Sequence, residues 1–116
     1  MRRRVLGDEH VDRAEAAKPR IDEPFQTFIT EGAWGSVWSG EGLTDRERSL
    51  ITLSLLAGLG HWDEVAMHIR ATENTGATPE DVREAFLHVA VYAGVPAANH
   101  ALKIAKQTYA EMGVDL

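Results

Sequence analysis

The sequence contains no cysteine among its 116 residues. A chain without thiols forms no disulfide, offers no thiolate ligand to a metal, and has neither a sulfur nucleophile nor a dithiol redox pair. Functions that depend on any of these chemistries are therefore excluded for the chain itself.

Long apolar runs and an excess of positive charge are also absent. No apolar stretch approaches the roughly 20 residues of a membrane span, and the basic residues 2–4 are followed by no apolar segment of the signal-peptide kind. The formal net charge of -6 argues against a general nucleic-acid binder. We therefore expect a soluble cytoplasmic protein with no membrane or nucleic-acid partner, in which local arginines would have to meet any anionic ligand.

Strand-like alternation is missing too, and helical patterns fill most of the chain. These patterns predict an all-α fold in one domain covering residues 1–116. The predicted helices are residues 7–17, ended by Pro19, then 25–33, 44–59, 61–74 with a stop at Gly76, 78–93 and 96–112.

A stretch rich in glycine and tryptophan, residues 34–42, precedes the most apolar helix. Its three glycines predict a loop. Trp34 and Trp38 within it have two interpretations, a cap on the hydrophobic core or a wall of a small-molecule pocket. The next helix begins with a capping-box pattern from Thr44 to Glu47 and is apolar around most of its circumference, which predicts a buried central helix.

The following helix carries His61, Glu64 and His68 at positions i, i+3 and i+7, which predicts one shared face. A metal site is disfavoured because the two histidines are about 10 Å apart along the helix axis. Glu64 and His68 are at i, i+4 and can hydrogen-bond, which would raise the pKa of the imidazole and suit a proton donor. The alternative is an ordinary surface Glu–His pair.

Arg48 lies in the first turn of the apolar helix, where no capping role explains it. Because a guanidinium forms bidentate pairs with carboxylates, a substrate contact and a structural salt bridge are both open for it. Arg70 is a weaker candidate, since it follows His68 by two positions and points elsewhere on its helix. His88 and Tyr92 form a second i, i+4 pair, which we expect at the surface or in an interface.

Several segments resemble the carboxymuconolactone decarboxylase family. They include WGSVWSGEGL, RSLITLSLLAGLG and VYAGVPAANHA and together cover nearly the whole chain in order. The resemblance implies an all-helical fold of the alkyl hydroperoxidase D type, with two helix hairpins packed on short N-terminal helices. It also implies a homohexamer and a cofactor-free decarboxylase of aromatic catabolism.

The family includes a redox branch whose motif is Cys-x-x-Cys-x-x-x-His. The equivalent positions here are His61, Glu64 and His68, so both cysteines are replaced and thiol peroxidase activity should be absent. The resemblance supplies the reaction, and for its steps we expect roles for six residues of this chain. They are His68 as proton donor, Glu64 as its orienting carboxylate, Arg48 as carboxylate holder, Trp34 and Trp38 as pocket walls, and His61 as a neighbour in the site.

The implied reaction converts 4-carboxymuconolactone to 3-oxoadipate enol-lactone and carbon dioxide. Its unsaturated lactone accepts the electrons released by decarboxylation, so neither a metal nor an organic cofactor is expected. Two alternatives remain at this stage. One is a family member that acts on another small carboxylated lactone, and the other is a non-catalytic small-molecule-binding or structural helical oligomer.

Overall fold

The computed structural model describes residues 1–17 and 20–116, and every secondary-structure element within them is helical. The predicted all-α class is confirmed, whereas the predicted helix end at Pro19 lies outside the described residues. No helix in these two ranges is long and apolar enough to cross a membrane. The elements are α1 (Arg2–Leu6), α2 (Asp8–Ala17), a 3₁₀ turn (Arg20–Asp22), α3 (Glu23–Ile29), a π-helix (Thr30–Val37), α4 (Asp45–Leu59), α5 (Trp62–Thr75), α6 (Pro79–Tyr92) and α7 (Val95–Glu111).

The four long helices form two hairpins that pack on each other. Helix α4 pairs with α5 and α6 pairs with α7, while α4 also packs on α6 and α5 on α7. Helix α1 packs on α5, so the predicted pair of hairpins on short N-terminal helices is confirmed. The shared core buries one side chain or more from each helix, including Leu53, Ile69, Phe86 and Ala101.

Local signals in the sequence fix the ends of the long helices. Thr44 and Glu47 form a capping box at the start of α4, and Thr78 and Asp81 form another at the start of α6. Gly60 ends α4 with a φ of 79°, in the left-handed region that glycine adopts without strain. The predicted starts and stops of these helices are therefore confirmed.

The N-terminal region holds one more helix than the sequence pattern predicted. The predicted segment 7–17 corresponds to α2, but residues before it form the short helix α1. Ion pairs from Arg2 to Glu15 (3.1 Å) and from Arg3 to Asp12 (2.8 Å) join the two helices. Because these pairs join residues 13 and 9 positions apart, they are not visible as a local helical pattern.

The prediction of a loop over residues 34–42 is wrong for its first part. Trp34 and Val37 belong to the π-helix, whose wide turn shows in the bond from the Trp38 N–H to the Ala33 carbonyl five residues earlier (2.8 Å). Burial of both tryptophans offsets the poor helix propensity of the glycines. The rings are 5.6 Å apart and pack with Val5 of α1 and Ala71 of α5 in a second apolar cluster.

The prediction that α4 is buried on most of its circumference is also wrong for the chain alone. Its buried side chains are Ser49, Leu53 and Ala57, which follow one stripe toward the other helices. On its opposite side, Leu55 and Leu59 are 59% and 69% exposed. The chain supplies a partner for one face of α4 only, and the second apolar face is left uncovered.

Candidate active site

His68 is the most deeply buried histidine of the candidate site. It lies in α5 beside the core residue Ile69, and only 7% of it is exposed. The Trp38 ring stacks on the imidazole, with centroids 6.4 Å apart and planes 15° apart. The Nδ1 atom of His68 is buried without a hydrogen-bond partner. The ring is therefore held by apolar packing, and this nitrogen can still form a hydrogen bond.

The pKa of His68 is shifted in the direction opposite to the prediction. Burial lowers the pKa of His68 to about 4, because desolvation disfavours the charged imidazolium. The negative charge of Glu64 raises it, but by less than burial lowers it, and His10 lowers it further. The expectation of a net rise is wrong because Glu64 is exposed in the first turn of α5. The predicted hydrogen bond between Glu64 and His68 is not formed at the Nδ1 atom of His68, which has no hydrogen-bond partner.

His61 does not share a helical face with the other two residues. It is the N-cap of α5, is exposed, and its side chain forms no capping hydrogen bond. The three-residue stripe predicted from the spacing is therefore wrong at its first position. Across residues 1–17 and 20–116, no group of three or more His, Asp or Glu side chains is placed to hold a metal ion.

Arg48 is partly buried and differs from its neighbouring arginines in having no carboxylate partner. Arg46 forms a bidentate pair with Asp81 at 2.6 and 2.7 Å, and Arg70 pairs with Glu111 at 2.5 Å. In the part of the chain that the structure describes, no ion pair joins Arg48, and its buried Nε has no hydrogen-bond partner. Of the two guanidinium groups considered from the sequence, only that of Arg48 is free to bind an anion.

One short turn, residues 38–40, contacts both the imidazole and the free guanidinium. Trp38 stacks on His68, and two residues later Gly40 lies against the side chain of Arg48. The Ser39 hydroxyl donates to the Trp34 carbonyl at 2.7 Å, which ties the turn to the π-helix. The fold thus brings a neutral imidazole and an unpaired cation to opposite ends of the same turn.

A buried hydroxyl one residue after Arg48 is not visible in the sequence pattern. Ser49 is completely buried in α4, and its Oγ has no hydrogen-bond partner. Only the packing of α4 shows that this side chain faces inward. The sequence pattern also does not predict the stacking of Trp62 on His100, whose ring centroids are 4.1 Å apart.

The low pKa of His68 predicts an acid-sensitive component of stability. The unfolded chain binds this proton near the ordinary value of 6.5, whereas the folded chain binds it only near 4. Between these values the unfolded state holds more protons, so the free energy of unfolding rises with pH. Because His68 is buried in its neutral form, the free energy of unfolding falls by about 3 kcal/mol as the pH falls through this window.

Urea unfolding at about pH 7 and about pH 4.5 measures this component. We expect the acid-induced loss of unfolding free energy to be smaller by about 2–3 kcal/mol in His68→Gln, which cannot titrate there. His61→Gln, a change at an exposed histidine whose side chain forms no capping hydrogen bond, should keep the wild-type loss. An equal loss in wild type and His68→Gln would contradict the buried neutral imidazole.

The fold and the site define a small all-helical protein that holds one buried imidazole and one unpaired guanidinium at a shared turn. Residues 23–107 match the sequence model of the carboxymuconolactone decarboxylase family. The chain is 41% identical over 114 residues to a 4-carboxymuconolactone decarboxylase of Acinetobacter baylyi, covering 98% of this chain and 85% of that protein. This protein belongs to the carboxymuconolactone decarboxylase family, as the resemblance predicted.

Two other relatives extend the comparison. The chain is 41% identical over 112 residues to a nitrosuccinic acid decarboxylase of Metarhizium robertsii, covering 97% of this chain and 78% of that protein. It is 31% identical over 105 residues to an uncharacterized 15.0 kDa protein of Paracoccus denitrificans, covering 89% and 77%. Both relatives with a named activity are decarboxylases, which supports the predicted enzyme class, a carboxy-lyase.

Proposed function

We propose that this protein converts 4-carboxymuconolactone to 3-oxoadipate enol-lactone and carbon dioxide, as a single-domain cytoplasmic enzyme of protocatechuate catabolism in the β-ketoadipate pathway. One observation carries the proposal. His68 and Arg48, which has no ion-pair partner among the described residues, lie at the two ends of the turn 38–40. The 41% identity to a protein of that activity supports it.

The decarboxylation of this lactone requires charge stabilisation and the transfer of one proton. The bond from the γ carbon to its carboxylate breaks, and carbon dioxide leaves. The electron pair moves through the conjugated double bond to the lactone carbonyl, giving a dienolate. One proton added at the α carbon completes the enol-lactone. The substrate is its own electron sink, so the protein has to hold the second carboxylate, stabilise the oxyanion and deliver the proton.

Arg48 holds the second carboxylate of the substrate in this proposal. A planar guanidinium binds a carboxylate through two parallel hydrogen bonds. Because no protein carboxylate occupies it, binding does not have to break an existing ion pair. Trp38 supplies an apolar wall next to the imidazole. Trp34 packs on Trp38, with ring centroids 5.6 Å apart.

His68 acts as the proton donor once the substrate is bound. Its pKa of about 4 keeps the imidazole neutral near pH 7 while the site holds no substrate. Two substrate carboxylates add negative charge nearby, which favours the imidazolium and raises this pKa. Proton uptake therefore accompanies substrate binding. Glu64 assists through its charge, which acts in the same direction. His61, exposed at the start of α5, has no step in this mechanism.

Nitrosuccinate is the second candidate substrate, because a nitrosuccinic acid decarboxylase is equally identical to this chain. It also has two carboxylates, and a nitro group can accept the electrons of decarboxylation. The test is carbon dioxide release from both compounds by the same purified protein, with the ultraviolet band of the lactone followed in parallel. We expect faster release from the lactone. Faster release from nitrosuccinate would overturn the substrate assignment, and no release from either would favour a binding or structural protein.

We propose that the protein assembles as a homohexamer, which the uncovered apolar face of the hairpins supports. Leu55 and Leu59 of α4 are exposed, and they line one depression with the exposed Tyr92 of α6. Exposed apolar side chains grouped in this way are typical of protein interfaces.

Light scattering coupled to size exclusion measures the assembly. We expect Leu55→Glu to convert the hexamer to smaller species, because burying an unpaired charge in an apolar interface is unfavourable. Lys103→Glu, a charge change at an exposed position of α7, should leave the hexamer intact. A monomeric wild type would refute the hexamer, and a hexameric Leu55→Glu would refute this face as the interface.

A further inference from the structure

The backbone does not explain why residue 40 is a glycine. The glycines with a positive φ in residues 1–17 and 20–116 are Gly7, Gly60, Gly76, Gly94 and Gly113. Gly40 is not among them, so its backbone conformation is open to residues with a side chain. The lack of a side chain at position 40, in the turn between His68 and Arg48, therefore needs another explanation.

The space beside Gly40 is filled by the guanidinium of Arg48. A Cβ at position 40 would lie 2.8 Å from a terminal nitrogen of Arg48 and 3.2 Å from the Val37 carbonyl oxygen. Carbon atoms in favourable contact are about 3.5–4.0 Å apart, so a side chain here and the guanidinium cannot both keep their places. Gly42, two residues later, has nothing within 4 Å of the same position.

A side chain at position 40 would displace the guanidinium more easily than the turn. The Gly40 N–H donates to the Val37 carbonyl at 3.1 Å, and the Ser39 hydroxyl donates to the Trp34 carbonyl. Trp38 is buried against His68. The turn is thus fixed at several points, whereas the long side chain of Arg48 ends in nitrogens without an ion-pair partner among the described residues.

We propose that Gly40 is a positioning residue for Arg48. Its missing side chain lets the guanidinium lie against the turn whose other end, Trp38, packs on His68. Position 40 thereby sets where a carboxylate is held relative to the imidazole. The identity of that carboxylate as the substrate's rests on the proposed function, whereas the placement of Arg48 does not.

Gly40→Ala tests the placement directly, with Gly42→Ala as the matched control in the same segment. Because the Arg48 Nε is buried, its N–H should give a protected NMR signal, which Arg48→Lys removes and so identifies. We expect Gly40→Ala to shift this signal and to speed its hydrogen exchange about tenfold or more, since the group becomes exposed. Gly42→Ala should change neither. An unchanged signal and exchange rate in Gly40→Ala would overturn the proposal.

Steady-state kinetics test the consequence for the substrate. Gly40→Ala should raise the KM for 4-carboxymuconolactone about tenfold and change kcat less than about twofold, because it weakens ground-state binding of the carboxylate that does not react. In an Arg48→Ala background the same substitution should have no further effect. An equal rise in KM in that background would show that Gly40 acts through another route.

The two levels of the proposal fail separately. If the wild-type protein leaves 4-carboxymuconolactone unchanged, the proposed function fails. The Arg48 signal then still decides whether Gly40 positions the guanidinium. If turnover is normal and the Arg48 signal is insensitive to Gly40→Ala, the proposed function stands and the positioning role is refuted.

Discussion

Replacing His68 by glutamine is expected to lower kcat for 4-carboxymuconolactone by about 10²-fold or more, the usual contribution of a general acid. Glutamine keeps a polar side chain of similar reach but cannot carry the proton to the α carbon. His68 is buried against Trp38, so the glutamine side chain takes its place in the same packing. The measurement is turnover of purified protein followed by loss of the lactone band.

Two controls separate chemistry from structure in this experiment. Size exclusion and circular dichroism should show His68→Gln with the assembly and helix content of the wild type. Glu64→Gln should lower kcat by about tenfold at most, because the Glu64 charge affects His68 from an exposed position. Near-wild-type turnover of His68→Gln would remove His68 from the proton-donor role.

Replacing Arg48 by alanine is expected to raise the KM for the same substrate by about 10–100-fold. A hydrogen bond to a charged group contributes about 1.5–3 kcal/mol, and a net loss of this size raises KM by about 10–100-fold. The fall in kcat should be smaller, because Arg48 holds a carboxylate that does not react. Initial rates over a range of lactone concentrations give both constants.

Arg70→Ala is the matched control for this experiment. Arg70 is an exposed arginine two positions after His68, and Glu111 already occupies its guanidinium. We expect its KM to stay within about twofold of the wild type, since exposed ion pairs contribute little. A larger rise in KM for Arg70→Ala than for Arg48→Ala would exchange the roles of the two arginines.

The long helices were predictable because their boundaries are encoded locally. Capping residues such as Thr44 and Thr78 and the terminator Gly76 lie within a few residues of the helix ends that they fix. The π-helix was not predictable in this way. Its wide turns depend on burying Trp34 and Trp38 against helices that are distant in the chain, and local propensity favours a loop there.

The sequence pattern indicated residues of the candidate site but not the electrostatics around them. Spacing singled out Glu64 and His68, but the direction of the His68 pKa follows from burial, in which Trp38, thirty positions earlier, takes part. Likewise, the sequence left Arg48 between a substrate and a structural role. The structure distinguishes it because the carboxylates of Asp81 and Glu111 lie beside other arginines.

Deuterium incorporation tests the central claim most directly. Purified protein treated with a chelator is incubated with 4-carboxymuconolactone in deuterated water, and the product is identified by NMR. The proposed mechanism predicts 3-oxoadipate enol-lactone with one deuterium at the α carbon, formed without added metal or cofactor. Unchanged substrate, or a product with its deuterium at the γ carbon, would contradict it.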